Sequence, residues 1–190
     1  MVQVRRLEIP EVLEITPARH GDHRGFFSEV WSRRALAEQG VECEFVQDNH
    51  SMSAAVGVLR GLHYQEPPMA QAKLVRVVKG AIYDVAVDIR HGSLTFGRHV
   101  GLRISAEAWN QIFVPEGFAH GFVTLEPDTE VIYKVSAPWS AAHERSIRFD
   151  DPAIGVEWPL NGRDPVLSDK DRLAPALADA APAFHFAGAR

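Results

Sequence analysis

Residues 73–90 read Lys-Leu-Val-Arg-Val-Val-Lys-Gly-Ala-Ile-Tyr-Asp-Val-Ala-Val-Asp-Ile-Arg, two runs in which β-branched and polar residues alternate on either side of Lys79-Gly80. A period of two suits a pleated strand with one buried face and does not suit a helix. Each run therefore predicts a strand, and Lys79-Gly80 a hairpin turn between them. Similar short runs recur over 97–104, 110–114, 121–125 and 130–135, broken by Gly, Pro and Asp. Regularly spaced short strands of this kind point to an antiparallel barrel or sandwich.

Helix signals are few. Residues 32–39 begin with a potential capping serine, Ser32, and stop at Gly40, while 169–181 offer a second stretch interrupted by Pro175. Neither looks like a helix that carries chemistry. The residues after about 171, rich in Ala and Pro, read as a loosely held tail. With 190 residues, 46% of them hydrophobic, the chain is long enough for one domain with its own core, taken as 9–171 within 1–190.

A net charge of −5 with both signs mixed along the chain gives no footprint for nucleic acid. The single cysteine, Cys43, can form neither an internal disulfide nor a cysteine metal cluster, so a reducing compartment is expected. The start, Met1-Val-Gln-Val-Arg-Arg6, lacks the apolar stretch of a signal peptide or membrane span. A cytoplasmic protein without membrane partners is the expectation.

Chemistry-bearing residues concentrate in Gln47-Asp-Asn-His-Ser51, Leu59-Arg-Gly-Leu-His-Tyr-Gln65 and Gln71-Ala-Lys73. An imidazole, a guanidinium and an ammonium on neighbouring strands suit an anionic ligand carrying an acidic C–H. Taken singly, each has a plainer reading. His63 could be a hydrogen-bonded structural histidine and Lys73 a solvated edge charge, while Tyr133 shares a strand face with Val131 and Val135 as a core tyrosine would. Strict alternation also sets Arg60 on the face opposite His63, unless Gly61 marks a bulge.

In their order, these blocks resemble the dTDP-4-dehydrorhamnose 3,5-epimerase family, cofactor-free members of the cupin-type jelly rolls. The likeness runs over about 9–171. It adds Gly21-Asp-His-Arg-Gly-Phe-Phe-Ser-Glu29, Val114-Pro-Glu-Gly-Phe-Ala-His-Gly-Phe122, Tyr133-Lys134 and Leu167-Ser-Asp-Lys-Asp171 to the blocks above. The resemblance implies an all-β, cupin-like double-stranded β-helix (jelly roll) with a few short helices. It also implies epimerisation of dTDP-4-dehydro-6-deoxy-D-glucose at carbons 3 and 5, whose protons the carbon-4 ketone acidifies.

By the same resemblance, His63 is the base, oriented by Asp171, and Tyr133 is the acid on the opposite ring face. Lys73 would stabilise the enolate oxygen, with Asp84 anchoring it. Arg60 would hold the pyrophosphate, helped by Arg24, Gln47, Asp48, Asn49, Lys170 and His120, while Glu29 and Glu144 address the nucleotide. The family's thymine-stacking tyrosine, six residues after the acid, is replaced here by Trp139, whose indole can stack equally well. That replacement leaves a single-position epimerase, acting at carbon 3 or carbon 5, as the alternative.

Pro115-x-Gly117-x-x-His120 is similar to the second half of a cupin metal motif, but the first half offers only His63 where two histidines are usual. No metal and no other cofactor are expected. The partners expected are a dTDP-sugar and a second copy of the chain, onto which the segment around 24–29 extends.

Overall fold

Alternating runs become facing sheets because each can bury only one of its faces. In the computed structural model, which describes residues 2–186, the first strands are β1 (Gln3–Arg6), β2 (Leu13–Thr16), β3 (His20–Asp22), β4 (Gly25–Phe27) and β5 (Gln47–Ser53). The central ones are β6 (Leu59–Gln65), β7 (Lys73–Lys79), β8 (Ala81–Asp88), β9 (Arg90–His91) and β10 (His99–Ser105). The last are β11 (Gln111–Val114), β12 (Phe118–Thr124), β13 (Thr129–Val135), β14 (Glu144–Ser146) and β15 (Phe184–His185). Two short helices, α1 (Arg33–Ala37) and α2 (Asp169–Arg172), complete the set.

A six-stranded sheet runs β1-β2-β11-β7-β13-β5, and a five-stranded sheet β10-β8-β12-β6-β14. Both are antiparallel, and the chain passes repeatedly from one to the other, as a cupin-like jelly roll requires. Between them lie Val75, Val77, Ile112, Val114 and Val131 from one sheet and Ile82, Ala86, Val100, Ile104, Phe118 and Phe122 from the other. Burying each such side chain contributes about 1.5–3 kcal/mol.

The strands at 73–79 and 81–88 are as expected, but Lys79-Gly80 is not a hairpin. β7 belongs to the six-stranded sheet and β8 to the five-stranded one, so the turn is a corner between layers. Alternation predicts strands without saying which strand pairs with which. Gly80 has φ +79°, and a Cβ there would sit 2.4 Å from Thr129 Oγ1, so the corner closes against β13 only with glycine.

Gly61 does mark a bulge. Across β6 and β12, His63 faces His120 while Arg60 faces Phe122, so three steps along β6 match two along β12. The extra residue turns Arg60 and His63 to the same inner face. Gly61 has φ +128°, and a Cβ there would lie 2.5 Å from Gly121 Cα.

α1 forms where expected, its N-cap Ser32 Oγ accepting the Ala35 N–H. The predicted stretch over 169–181 is broken into α2 and a 3-10 turn at Leu177–Asp179. The tail is not loosely held: β15 pairs in parallel with β9, and Leu177, Ala180, Ala183 and Phe184 pack on Leu62, Tyr64, Val85 and Val87. Those four present the outer, apolar face of the five-stranded sheet, which would otherwise meet water. The end of the predicted tail, 187–190, lies outside the described residues. Among the described residues no helix is long and apolar enough to cross a membrane.

Gly61→Ala combines a disfavoured φ with a backbone clash, so a loss of about 2–4 kcal/mol in unfolding free energy is expected by denaturant titration. A change below about 0.5 kcal/mol would mean that the bulge is not needed as drawn.

Candidate active site

The inward rows are mostly apolar, and one ionisable side chain interrupts each of four of them. On β7 the row is Lys73, Val75, Val77; on β8 it is Ile82, Asp84, Ala86; on β12 it is Phe118, His120, Phe122; on β13 it is Val131, Tyr133, Val135. With the bulge on β6, His63 and Arg60 join these ionisable groups. A cavity of roughly 430 Å³ opens there, lined among others by Arg60, His63, Lys73, His120, Tyr133 and Asp171. A smaller one of roughly 120 Å³ shares His63, Lys73 and Tyr133 and adds Gln47, Asn49, Trp139 and Glu144.

His63 Nε2 lies 2.5 Å from Asp171 Oδ1, a contact between residues 108 positions apart. α2 delivers the carboxylate, contrary to the expectation that neither helix bears on the chemistry. Ser168 caps this helix, accepting the Asp171 N–H at 3.2 Å and donating its hydroxyl to Asp171 Oδ2 at 2.8 Å. Ser168 escaped notice, although Ser-x-x-Asp is a capping-box pattern that signals it. Burial raises the Asp171 carboxyl, but His63, Ser168 and Lys170 outweigh it and hold the group below its usual range. An ionised Asp171 accepts the Nε2 proton and leaves Nδ1 as the free base nitrogen.

Lys73 is buried, and its Nζ donates to the His63 carbonyl at 3.3 Å. Burial lowers the ammonium to about 8, with the charges of Asp84 and Glu144 pulling the other way. The expected Asp84 anchor is not a hydrogen bond. Both Asp84 oxygens instead lie 2.9 Å from His120 Nε2, diagonally across the β8–β12 pair, so Asp84 reaches Lys73 only through its field. Burial pushes Asp84 up and His120 down. It also pushes the Tyr133 phenol up, with Arg60 opposing.

The smaller lobe is held by side chains. Gln47 donates to Asn49 Oδ1 at 2.8 Å and accepts the Trp139 N–H at 3.0 Å, leaving the indole 59% exposed. Gln65, which was not singled out, accepts the Ser140 N–H at 2.7 Å and donates to Pro138 O at 3.1 Å, fixing the loop that carries Trp139. Glu144 and Lys170 pair at 2.7 Å. Burial raises the Glu144 carboxyl, and Lys170 more than offsets this. Arg60 rests on Ser53 Oγ and Met52 O at 3.3 Å each.

Three of the expected ligand-binding residues lie elsewhere. Asp48, between Gln47 and Asn49, points to the outer face by strand alternation and pairs with Lys134 at 2.9 Å. Arg24 is exposed and bonded to Asp22, on a β3–β4 hairpin that joins neither large sheet. Glu29 lines a separate pocket with Trp31, Ser32 and Leu36. Among the described residues no three His, Cys, Asp or Glu converge as metal ligands.

A family model described as dTDP-4-dehydrorhamnose 3,5-epimerase matches residues 6–179. The chain is 50% identical over 184 residues to the protein of that name from Sinorhizobium fredii, covering 95% of this chain and 92% of the relative. It is 51% identical over 180 residues to the protein of the same name from Pseudomonas aeruginosa, covering 94% and 98%. The crystal structure of dTDP-6-deoxy-D-glucose-3,5-epimerase from Legionella pneumophila, in complex with dTDP-4-keto-L-rhamnose, superposes with a TM-score of 0.94 at 40% identity, covering 99% of this chain and all of that one.

Because its folded pKa lies below that of a free lysine, Lys73 binds fewer protons in the native than in the unfolded state between about pH 8 and 10.4. Stability from this group therefore rises across that window. Lys73→Met is expected to be the more stable protein at pH 7, by up to on the order of 3 kcal/mol, with the gap closing above pH 8. Urea titrations that give the same gap at both pH values would contradict a depressed Lys73.

Proposed function

This chain belongs to the dTDP-4-dehydrorhamnose 3,5-epimerase family, isomerases of the dTDP-rhamnose pathway, and from that premise we propose how its own residues perform the reaction. The substrate is dTDP-4-dehydro-6-deoxy-D-glucose and the product dTDP-4-dehydro-L-rhamnose. His63 Nδ1 removes the proton beside the carbon-4 ketone, and the Lys73 ammonium stabilises the enolate oxygen. Tyr133 returns a proton to the opposite face, which inverts the carbon. Asp171 holds the imidazole in the tautomer that leaves Nδ1 basic and stabilises the imidazolium that forms.

The observation that carries this reading is that His63, Lys73 and Tyr133 line one cavity, with an ionised carboxylate behind the histidine. Arg60, Gln47, Asn49 and Lys170 take the pyrophosphate, Trp139 stacks on thymine, and Glu144 addresses the nucleotide. His120 supports Asp84 and borders the sugar. No metal or nicotinamide enters the scheme, and residues 1–190 act as one catalytic domain.

The functional unit is a homodimer in this proposal. Phe26 and Phe27 are 56% and 72% exposed on the β3–β4 hairpin, an arrangement that favours covering by a second chain. Arg24 and Glu29 then serve the partner's cavity rather than their own.

After one inversion His63 is protonated and Tyr133 is not, so inverting a second carbon requires exchange with solvent. Turnover in heavy water is expected to place deuterium at both carbon 3 and carbon 5. Label at only one would favour the single-position alternative. His63→Ala should slow exchange about 10²–10⁴-fold while ligand binding survives, and undiminished exchange would remove its role.

Lys73 must be charged to act, and its ammonium titrates at about 8 in the free protein. A fall in kcat/KM above that pH is expected, while the raised Tyr133 phenol stays protonated. Lys73→Arg should move the fall beyond about pH 10, whatever its rate, and an unmoved limb would contradict the assignment.

A further inference from the structure

Among the described residues, two buried acidic side chains take no part in the proposed chemistry, Asp88, which is paired with Arg90, and Asp151. Asp151 is 3% exposed, its Oδ2 accepting the Leu177 N–H at 2.6 Å and its Oδ1 the Ala153 N–H at 2.8 Å. Its carbonyl accepts the N–H groups of Ile154 and Gly155 at 3.1 and 2.9 Å, which fixes the turn that presents the carboxylate. Leu177 opens the 3-10 turn after α2, and its N–H is one that the turn itself cannot satisfy. Asp151 thus caps that turn from a distant part of the chain.

α2 has only four residues, too few to be stable alone. Its place is set by the clamps on either side. Upstream, Val166 donates to Gly57 O at 2.8 Å and accepts from Leu59 N at 3.0 Å, which ties the approach to the start of β6. Downstream, Arg148 N donates to Pro175 O at 2.8 Å, and Asp151 seizes Leu177 two residues later. The upstream clamp is all backbone, whereas the downstream clamp joins one backbone bond, at Pro175, to one side chain, Asp151. Beyond it, Ala180, Ala183 and Phe184 pack with Leu62 and Tyr64, which flank His63 on β6. Base strand, helix and C-terminal segment form a closed circuit that Asp151 fastens.

We infer that Asp151 is a positioning residue: by holding the Leu177 amide it fixes α2 and keeps the Asp171 carboxylate against the His63 ring. This rests on the reading of His63 as base and Asp171 as its orienting group. Asp151→Ala is expected to lower kcat about 10²-fold, the scale of a misplacement by about 1 Å, with a rise in KM of no more than about fivefold, because Lys170 alone of the proposed nucleotide contacts lies on α2. In an Asp171→Asn background the same substitution should cost no more than about twofold, since the contact it protects is already lost. A merely structural role would instead multiply the two losses. On ¹⁵N-histidine-labelled full-length protein, the His63 Nε2–H resonance should weaken in Asp151→Ala through faster exchange with solvent.

If Asp151→Ala does not fold, Asp151→Asn carries the same test, because it keeps one oxygen for Leu177 while turning its NH₂ toward Ala153. Its expected loss is smaller, about 10-fold, and equally absent in the Asp171→Asn background. Parental kcat in the Asp151 variants beside an impaired Asp171→Asn would overturn this inference alone, as would losses that multiply. A fully active Asp171→Asn would remove both this inference and the role of Asp171 on which it rests.

Discussion

Ionisable groups occupy the inner rows of the same strands whose other inward residues are hydrocarbon, so charge and hydrocarbon share one interior. An unpaired charge inside a sandwich costs several kcal/mol, comparable with what two or three buried aliphatic side chains contribute. The chain meets this constraint by pairing. Asp84 lies against His120 and Asp171 against His63, and Lys73 sits within the field of Asp84 and Glu144. What pairing does not remove is expressed as shifted proton affinities, foremost that of Lys73, whose ammonium burial lowers to about 8.

Two local devices turn this interior into a site. The bulge at Gly61 adds a residue to β6, so a guanidinium and an imidazole that alternation would separate come to one face. Two short consecutive segments, far along the chain from β6, then meet behind the imidazole. A four-residue helix supplies the carboxylate, and the packed C-terminal segment holds that helix down. Apolar burial on the outer face of the five-stranded sheet is therefore coupled to geometry on its inner face. Nothing in the residues that touch substrate would disclose that coupling.

Much of the architecture was legible in the chain because alternation is a strong signal where one strand face is buried. The runs at 110–114 and 130–135 became β11 and β13 almost residue for residue. Pairing was not legible: Lys79-Gly80 has the composition of a hairpin turn, and only tertiary packing on Thr129 makes it a corner. The bulge could be posed as a condition, since Gly61 was the one place where Arg60 and His63 could be reconciled. The tail was misread because Ala and Pro carry little periodic signal, although Leu177 and Phe184 bury well. Around the cavity, Tyr133 shares its face with Val131 and Val135 as period two put it, whereas Lys73, which singly reads as a solvated edge charge, is buried, and alternation turns Asp48 away. Arg24 sits on a hairpin whose company a single chain does not specify, and Glu29 lies just after it.

The account stands on an imidazole and a phenol reaching opposite faces of one sugar ring. A crystal structure of the protein with a bound dTDP-4-keto-6-deoxy sugar, or with dTDP-rhamnose in its place, measures this most directly. His63 Nδ1 and Tyr133 Oη are expected within about 3–3.5 Å of the epimerised carbon on opposite sides, with Lys73 Nζ at the carbon-4 oxygen. A ring bound with both groups on one side, or seated away from the cavity they share, would contradict it.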